Sequence, residues 1–289
     1  MQKNALIACI IVGLFGCGRG QQAGEAGQTY EARGVVRGFS PDRSTIEIQH
    51  EDIPKFMPSM TMPFVPRDRK EIAGLKPGDA ISFRLMVTQK DFWIDTVKKI
   101  SRENVEVAEP KPKSPALAER GARLQEGDEM PYFKLTNQNG ERISLDTFRG
   151  EPLILTFVFT RCPLPNFCPR MSTNFEKLQA VIKTATGALA QTRLLSITLD
   201  PAFDTPQVLR EYGGFHQADP RIWTFASGDE KEIDALTRAF SVYRENEGGT
   251  LSHGLATALI DKNGKVAKIW RGNGWTPAEV VEEIKPGEQ

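Results

Sequence analysis

Two thiols, one late histidine and a knot of thioethers are the residues of this chain best suited to chemistry. Cys162 and Cys168 stand six positions apart in RCPLPNFCPR, on an arm stiffened by Pro163 and Pro165. A thiolate is a nucleophile and a soft metal ligand, so the pair offers disulfide exchange or metal binding. The arm can loop back to close a disulfide, but so short a loop gains little stability from closure. Pro169 suits a first helical turn, which puts Cys168 at the N-cap, where the positive helix end is expected to lower its pKa. The chain has three histidines, His50, His216 and His253. His253 lies in GTLSHGLATALID, just before a strand-like apolar run. Two thiolates and an imidazole form a soft set of donors that suits Cu(I).

A second soft group sits in HEDIPKFMPSMTMPF. His50, Met57, Met60 and Met62 fall within thirteen residues of a chain with seven methionines. Met60 and Met62 share one face of an extended strand. Thioethers bind Cu(I) or Ag(I), hold harder ions poorly and cannot form disulfides. Plain core packing is the competing reading, but Pro58 and Pro63 argue against an ordinary core strand. Thioethers do not titrate, so His50 alone is expected to set the pH dependence, near its unperturbed value of about 6.5. Three further residues read as supporting parts: Met171 as core, His216 as a surface loop residue, and Asp200 as a turn cap or an outer partner of the thiol site.

The elements that must carry these groups divide into two domains. In the first, EARGVVRGF, TIEIQH, TMPFV, AISFRLMVT and DFWIDTVKKI read as five short strands, which suits a small closed, OB-like all-β barrel over residues 31–105. The second domain, 126–289, alternates strands and helices. LILTFVFT is a continuous apolar run ending just before Cys162, as a buried central strand would be. A helix is expected from about Pro169 to Ala185, with others at DTPQVLREY, at about Glu230 to Phe240, and at TPAEVVEEI. Asp204 or Thr205 caps the second of these, and Thr276 with Glu279 forms a capping box on the last. A hairpin turns at Asn263-Gly264. A thiol pair between a buried strand and a helix is thioredoxin topology. An ordinary disulfide oxidoreductase of that topology would keep a proline in the loop before the next strand. None occurs from Gly248 to Asp261, and His253 stands there instead.

The 289-residue chain carries 37 basic and 37 acidic side chains, a neutral balance that argues against nucleic acid as a partner. Lys3 and the eleven-residue apolar run ALIACIIVGLF read as a secretion signal, too short to span a bilayer. The run ends in LFGC, which resembles a bacterial lipobox, with Cys17 as the lipidated residue. Residues 1–17 are thus expected to be a lipoprotein-type signal, 18–30 a tether and 106–125 an interdomain linker. The mature protein is expected outside the cytoplasm, in the periplasm or cell envelope, where disulfides persist.

From about residue 126 onward the chain resembles the Sco/SenC family of copper proteins. The matching stretches are LTFVFTRCP…CPRM, SITLDPAFDTPQVLREY and LSHGLATALIDKNGKV. The resemblance implies a thioredoxin-like fold and copper ligands at Cys162, Cys168 and His253. It also implies a role in delivering copper to cytochrome c oxidase and in periplasmic thiol redox, with a thiol reductant as partner. The family usually has three residues between its cysteines, and this chain has five. Residues 31–103 resemble the CusF-like copper- and silver-binding β-barrels, whose signature is a histidine followed by an M-T-M pair and a capping tryptophan. His50, Met60 and Met62 match by order; the tryptophan position falls at Met57 or Phe56, and Met57 becomes the fourth ligand.

Three functions compete. A copper metallochaperone, which would not be an enzyme, accounts for both donor groups. A thiol–disulfide reductase needs only Cys162 and Cys168. A peroxiredoxin-like peroxidase is suggested by EGDEMPYFKLTNQNGERISLDTFRG and by Thr160 and Arg161, although its PxxxTxxC pattern is missing. Only the metal reading explains the methionines.

Overall fold

The computed structural model describes residues 27–40, 42–88, 91–107, 123–247 and 250–284. The expected signal with Cys17, most of the tether and most of the linker lie outside the described residues. No helix among the described residues is long and apolar enough to cross a membrane.

Strands β1 (Gln28–Phe39), β2 (Ile46–His50), β3 (Met60–Phe64), β4 (Ala80–Val87) and β5 (Phe92–Lys99) form one antiparallel sheet in the order β3-β2-β1-β4-β5. The sheet closes on itself beyond β3. The Ile94 N–H donates to Val65 O at 2.9 Å, and the Arg67 N–H donates to Ile94 O at 2.8 Å. Period-two alternation sends Ile46, Ile48 and His50 inward from β2, and Met60, Met62 and Phe64 inward from β3. Gly34 of β1 pairs with His50 across the sheet. A Cβ there would lie 2.5 Å from Gln49 O and 2.9 Å from His50 Cα, so only glycine lets the strands approach this closely.

The second domain is built on a seven-stranded sheet. Its strands are β6 (Lys134–Asn137), β7 (Arg142–Ser144), β8 (Leu153–Val158), β9 (Arg193–Thr198), β10 (Trp223–Ser227), β13 (Ala256–Ile260) and β14 (Val266–Arg271). The order is β14-β13-β8-β9-β10-β6-β7, with β8, β9 and β10 parallel. A separate hairpin pairs β11 (Arg244–Glu247) with β12 (Thr250–His253). Helices α1 (Cys168–Thr184), α2 (Gly187–Ala190), α3 (Pro206–Phe215), α4 (Glu230–Ala239) and α5 (Pro277–Ile284) complete it. Every residue of β8 is buried, because helices cover both faces. Ile154 joins Met171, Phe175, Leu178 and Ile182 of α1, with Leu209 of α3 and Val280 of α5. Leu153, Leu155 and Phe157 join Ile233 and Leu236 of α4 on the other face. This is a thioredoxin-like arrangement, as expected.

Local sequence signals place the helix ends. Thr205, not Asp204, caps α3 by accepting from the Val208 N–H at 3.3 Å. Thr276 and Glu279 form the expected box, with the Thr276 N–H donating to Glu279 Oε2 at 2.6 Å. The domain edges shift from those expected. Gln28–Tyr30 belong to β1 and not to a tether. Leu124 is buried in the second core, and its N–H donates to Ala239 O at 3.0 Å, so that domain begins ahead of residue 126.

Candidate metal centre

The thiol arm leaves β8 in a turn closed by the Cys162 N–H donating to Phe159 O at 3.1 Å, and enters α1 through a second turn, Phe167 N–H to Leu164 O, also 3.1 Å. Cys168 is the first residue of α1 and not its N-cap, which is Phe167; Pro169 lies in the first turn, and the Cys168 Sγ accepts from the Phe159 N–H at 3.3 Å. His253 ends β12, opposite Arg244 of β11. Arg244 fixes that hairpin by donating to Leu199 O and pairing with Glu230 and Asp234. These elements bring Cys162, Cys168 and His253 together, with their ligand atoms all within 4.8 Å of one another. His253 Nε2 lies 3.7 Å from Cys168 Sγ. Its Nδ1 sits 2.9 Å from Gly254 O; a carbonyl only accepts, so Nδ1 carries a proton and Nε2 is the ring atom turned toward the thiols. Such a pocket of two sulfurs and one imidazole nitrogen suits a soft monovalent ion.

The two thiols differ in the opposite sense from the sequence expectation. Hydrogen bonding with Cys168, and then with His253, holds the half-buried Cys162 well below the usual thiol range. Cys168, fully buried at the helix start, is pushed up by the same partner and by desolvation. The N-terminal helix charge therefore does not make Cys168 the acidic thiol; the shared hydrogen bond with Cys162, together with burial, outweighs it.

Around the arm, Asp204 is fully buried and accepts from the hydroxyls of Thr160 and Thr198, tying the start of the arm to the end of β9. Burial raises its carboxyl above the ordinary value. Sequence reasoning gives the outer-partner role to Asp200 and offers Asp204 only as a helix cap; the signal was the second aspartate in DPAFDTP. Asp200 instead pairs with Arg161, whose guanidinium lies 4.1 Å from the Phe203 ring centroid. Thr160 and Arg161 are thus engaged with Asp204, Asp200 and Phe203. His216 does not lie on a surface loop as its sequence context suggests: it is 5 % exposed at the end of α3, bonded through Nδ1 to Glu176 and packed against Tyr212 and Trp223. Met171 is fully buried core.

The barrel group is also brought together. His50 faces Met60 across β2 and β3, and Ile48 faces Met62. Met57, bridged to Ile53, joins the same buried cluster as Met60 and Met62. Phe56 stacks on Tyr30 at 4.4 Å between centroids. His50 is fully buried, and its Nδ1 is 2.7 Å from Glu51 O, so that nitrogen donates. Its Nε2 is buried with no hydrogen-bond partner among the described residues. An orphaned imidazole lone pair beside thioethers is costly unless an ion takes it up, so this donor set fits a soft cation. Burial pulls the His50 pKa below 6.5, against the Glu51 carbonyl and the Asp52 charge, which corrects the unperturbed value expected.

The two donor groups are neighbours. Met60 and Met62 line one small cavity with Phe159, Cys162, Leu164 and His253, about 30 Å³ in volume. Leu164, in the arm between the cysteines, is 4 % exposed and packs in the barrel core. Phe167 lies 6.0 Å from Phe92 between centroids, and Asn166 Nδ2 donates to Asp91 Oδ1 at 2.8 Å. Sequence reasoning missed this docking; the signal available was two apolar residues in a proline-rich arm.

Residues 121–286 match the family model SCO1/SenC, and residues 29–99 match that of copper binding periplasmic protein CusF. The chain is 28% identical over 162 residues to a SCO1 protein homolog of Bacillus subtilis (strain 168), spanning 54% of this chain and 81% of that one. It is 32% identical over 161 residues to a SCO2-like protein of Rickettsia felis, spanning 53% and 74%. Among solved structures, a SCO1/SenC family lipoprotein from Bacillus anthracis str. Ames aligns at 28% identity with a TM-score of 0.50, over 54% of this chain and 93% of that one.

Proposed function

The chain belongs to the SCO1/SenC family through residues 121–286, and from that premise we propose that it is an extracytoplasmic copper-binding metallochaperone. Cu(I) is its cargo, held in the second domain by Cys162, Cys168 and His253. A second site in the barrel, at His50, Met57, Met60 and Met62, takes Cu(I) or Ag(I). Its service is copper-centre assembly, with cytochrome c oxidase as a candidate recipient, or copper handling in the periplasm; Cys17 would anchor it to a membrane. The observation that carries the reading is the convergence of two sulfurs and an oriented imidazole nitrogen within 4.8 Å. The matched families support copper as the ion, because one is described as copper binding. In the test, His253→Ala in the reduced, anaerobic protein competes with a Cu(I) chelator. We expect at least a tenfold loss of affinity at the thiol site with the fold retained. Parent-like competition would rule out the three-ligand site.

One observation favours a second reading, a thiol–disulfide reductase: the low-pKa Cys162 is partly accessible while Cys168 is buried behind it, the asymmetry of an attacking and a resolving thiol. Turnover of a disulfide substrate that persists in His253→Ala would select it.

A further inference from the structure

The barrel and the thioredoxin-like domain do not merely share a chain. The strand carrying Met60 and Met62 lies against the hairpin strand that ends in His253. Cys162 packs against the cores of both domains. The thiol arm is itself the latch: Leu164 enters the barrel core, Phe167 meets Phe92, and Asn166 Nδ2 donates to Asp91. Behind the latch, Asn273 Nδ2 donates to Asn166 O at 2.7 Å and holds the arm to its own domain. The arm that positions the thiols is thus the same arm that contacts the barrel. What remains between Met60 and Met62 on one side and Cys162 and His253 on the other is a partly open cavity of about 30 Å³, enough for a water-sized body or a single ion.

We propose that this cavity is a transfer compartment, in which Cu(I) passes directly between Met60 and Met62 of the barrel and Cys162 and His253 of the second domain without leaving the molecule. The inference rests on the metal reading of both sites and adds the route between them. The exchange is a ligand substitution. Thioether–copper bonds break as thiolate–copper and imidazole–copper bonds form. Each thiol still protonated when the ion arrives releases its proton to water; copper stays Cu(I) and no electron moves. An anionic thiolate is a stronger donor to Cu(I) than a neutral thioether, so the ion runs toward the thiols when they are reduced. Oxidation of Cys162 and Cys168 to a disulfide removes both thiolates and leaves the ion with the methionines. Two sites sharing one cavity exchange at a local concentration that no second chain matches.

The test uses the full chain. Diamide oxidises the thiol pair, accepting two electrons and two protons; excess diamide is removed, and one equivalent of Cu(I) is then added anaerobically. A phosphine then reduces the disulfide in the presence of a coloured Cu(I) chelator, at a concentration just below the one that empties the oxidised protein. Ultraviolet thiolate-to-copper absorption and chelator colour are read together. The relay predicts that copper appears on the thiolates while the chelator captures little, with the same partition over a tenfold range of protein concentration. Asn166→Asp sets a carboxylate against Asp91 and opens the latch, so chelator capture should rise at least fivefold; adding Asp91→Asn should restore the parent partition. Equal capture in the parent and Asn166→Asp would overturn the relay, as would transfer that scales with protein concentration, while both sites still bind. Absence of Cu(I) on the oxidised protein, or of thiolate absorption after reduction, would instead overturn the two-site reading on which the relay rests.

Discussion

Cys162 and Cys168 share an arm but not an environment, and the difference decides their chemistry. Cys162 is partly exposed and stabilised as a thiolate; Cys168 is fully buried against the Phe159 amide. In the reduced, metal-free protein, iodoacetamide should therefore label Cys162 at least tenfold faster than Cys168, as read by peptide mass spectrometry; equal rates would contradict the assignment. His50 makes a second residue-scale prediction. Above its ordinary value of about 6.5 the imidazole is neutral folded or unfolded, and its contribution to stability is complete. As pH falls below that, the unfolded chain binds a proton that the buried ring resists, so stability declines toward the depressed folded pKa. The same depression delays proton competition for the metal. Ag(I) binding by the barrel methionines, followed by methyl NMR, should persist at pH values where a free histidine is already half protonated. These environments were not legible in the sequence. Helix-end electrostatics pointed to Cys168, and only the packing shows that the hydrogen bond shared with Cys162, and then desolvation, outweigh it there. His216 looked like a loop residue for the same reason, since burial depends on Tyr212 and Trp223 folding over it.

Elements were more legible than environments. Five strands of the barrel and the four longer helices follow from periodicity and caps, because alternation, Thr205, Pro206 and the Thr276–Glu279 pair act locally. The tertiary use of an element does not follow. The arm between the cysteines holds five residues, and Pro165-Asn166 lies within the stretch that reaches the barrel. No local signal says what Leu164 will pack against, since its partners lie in another domain. Leu164→Ala removes a buried side chain from that junction and should cost about 2–5 kcal/mol, seen as earlier thermal unfolding of the full chain. At Gly34 the sequence shows only a glycine in a strand. The structure makes it the point where β1 approaches His50 too closely for a Cβ. Gly34→Ala should force β1 and β2 apart, cost about 1–3 kcal/mol and weaken Ag(I) binding through displacement of His50; an unchanged melting temperature would show that the strands can yield.

At the scale of the whole molecule, two donor groups of different redox sensitivity meet at one cavity, through Met60 and Met62 on one side and Cys162 and His253 on the other. The thioether group has no thiol and should ignore oxidation, whereas the thiol group loses both sulfurs as ligands when its disulfide forms. Copper capacity should therefore track the redox state of the second domain alone, with the barrel retaining its ion in an oxidising compartment. The most direct measurement is the number of Cu(I) equivalents bound anaerobically by the full chain, reduced and then oxidised to the Cys162–Cys168 disulfide, with Cys162→Ser/Cys168→Ser as the control. The expected result is about two equivalents reduced, about one oxidised, and about one for the double variant in either state. An equal count in the reduced and oxidised parent would contradict the account, because the thiols would then not be copper ligands.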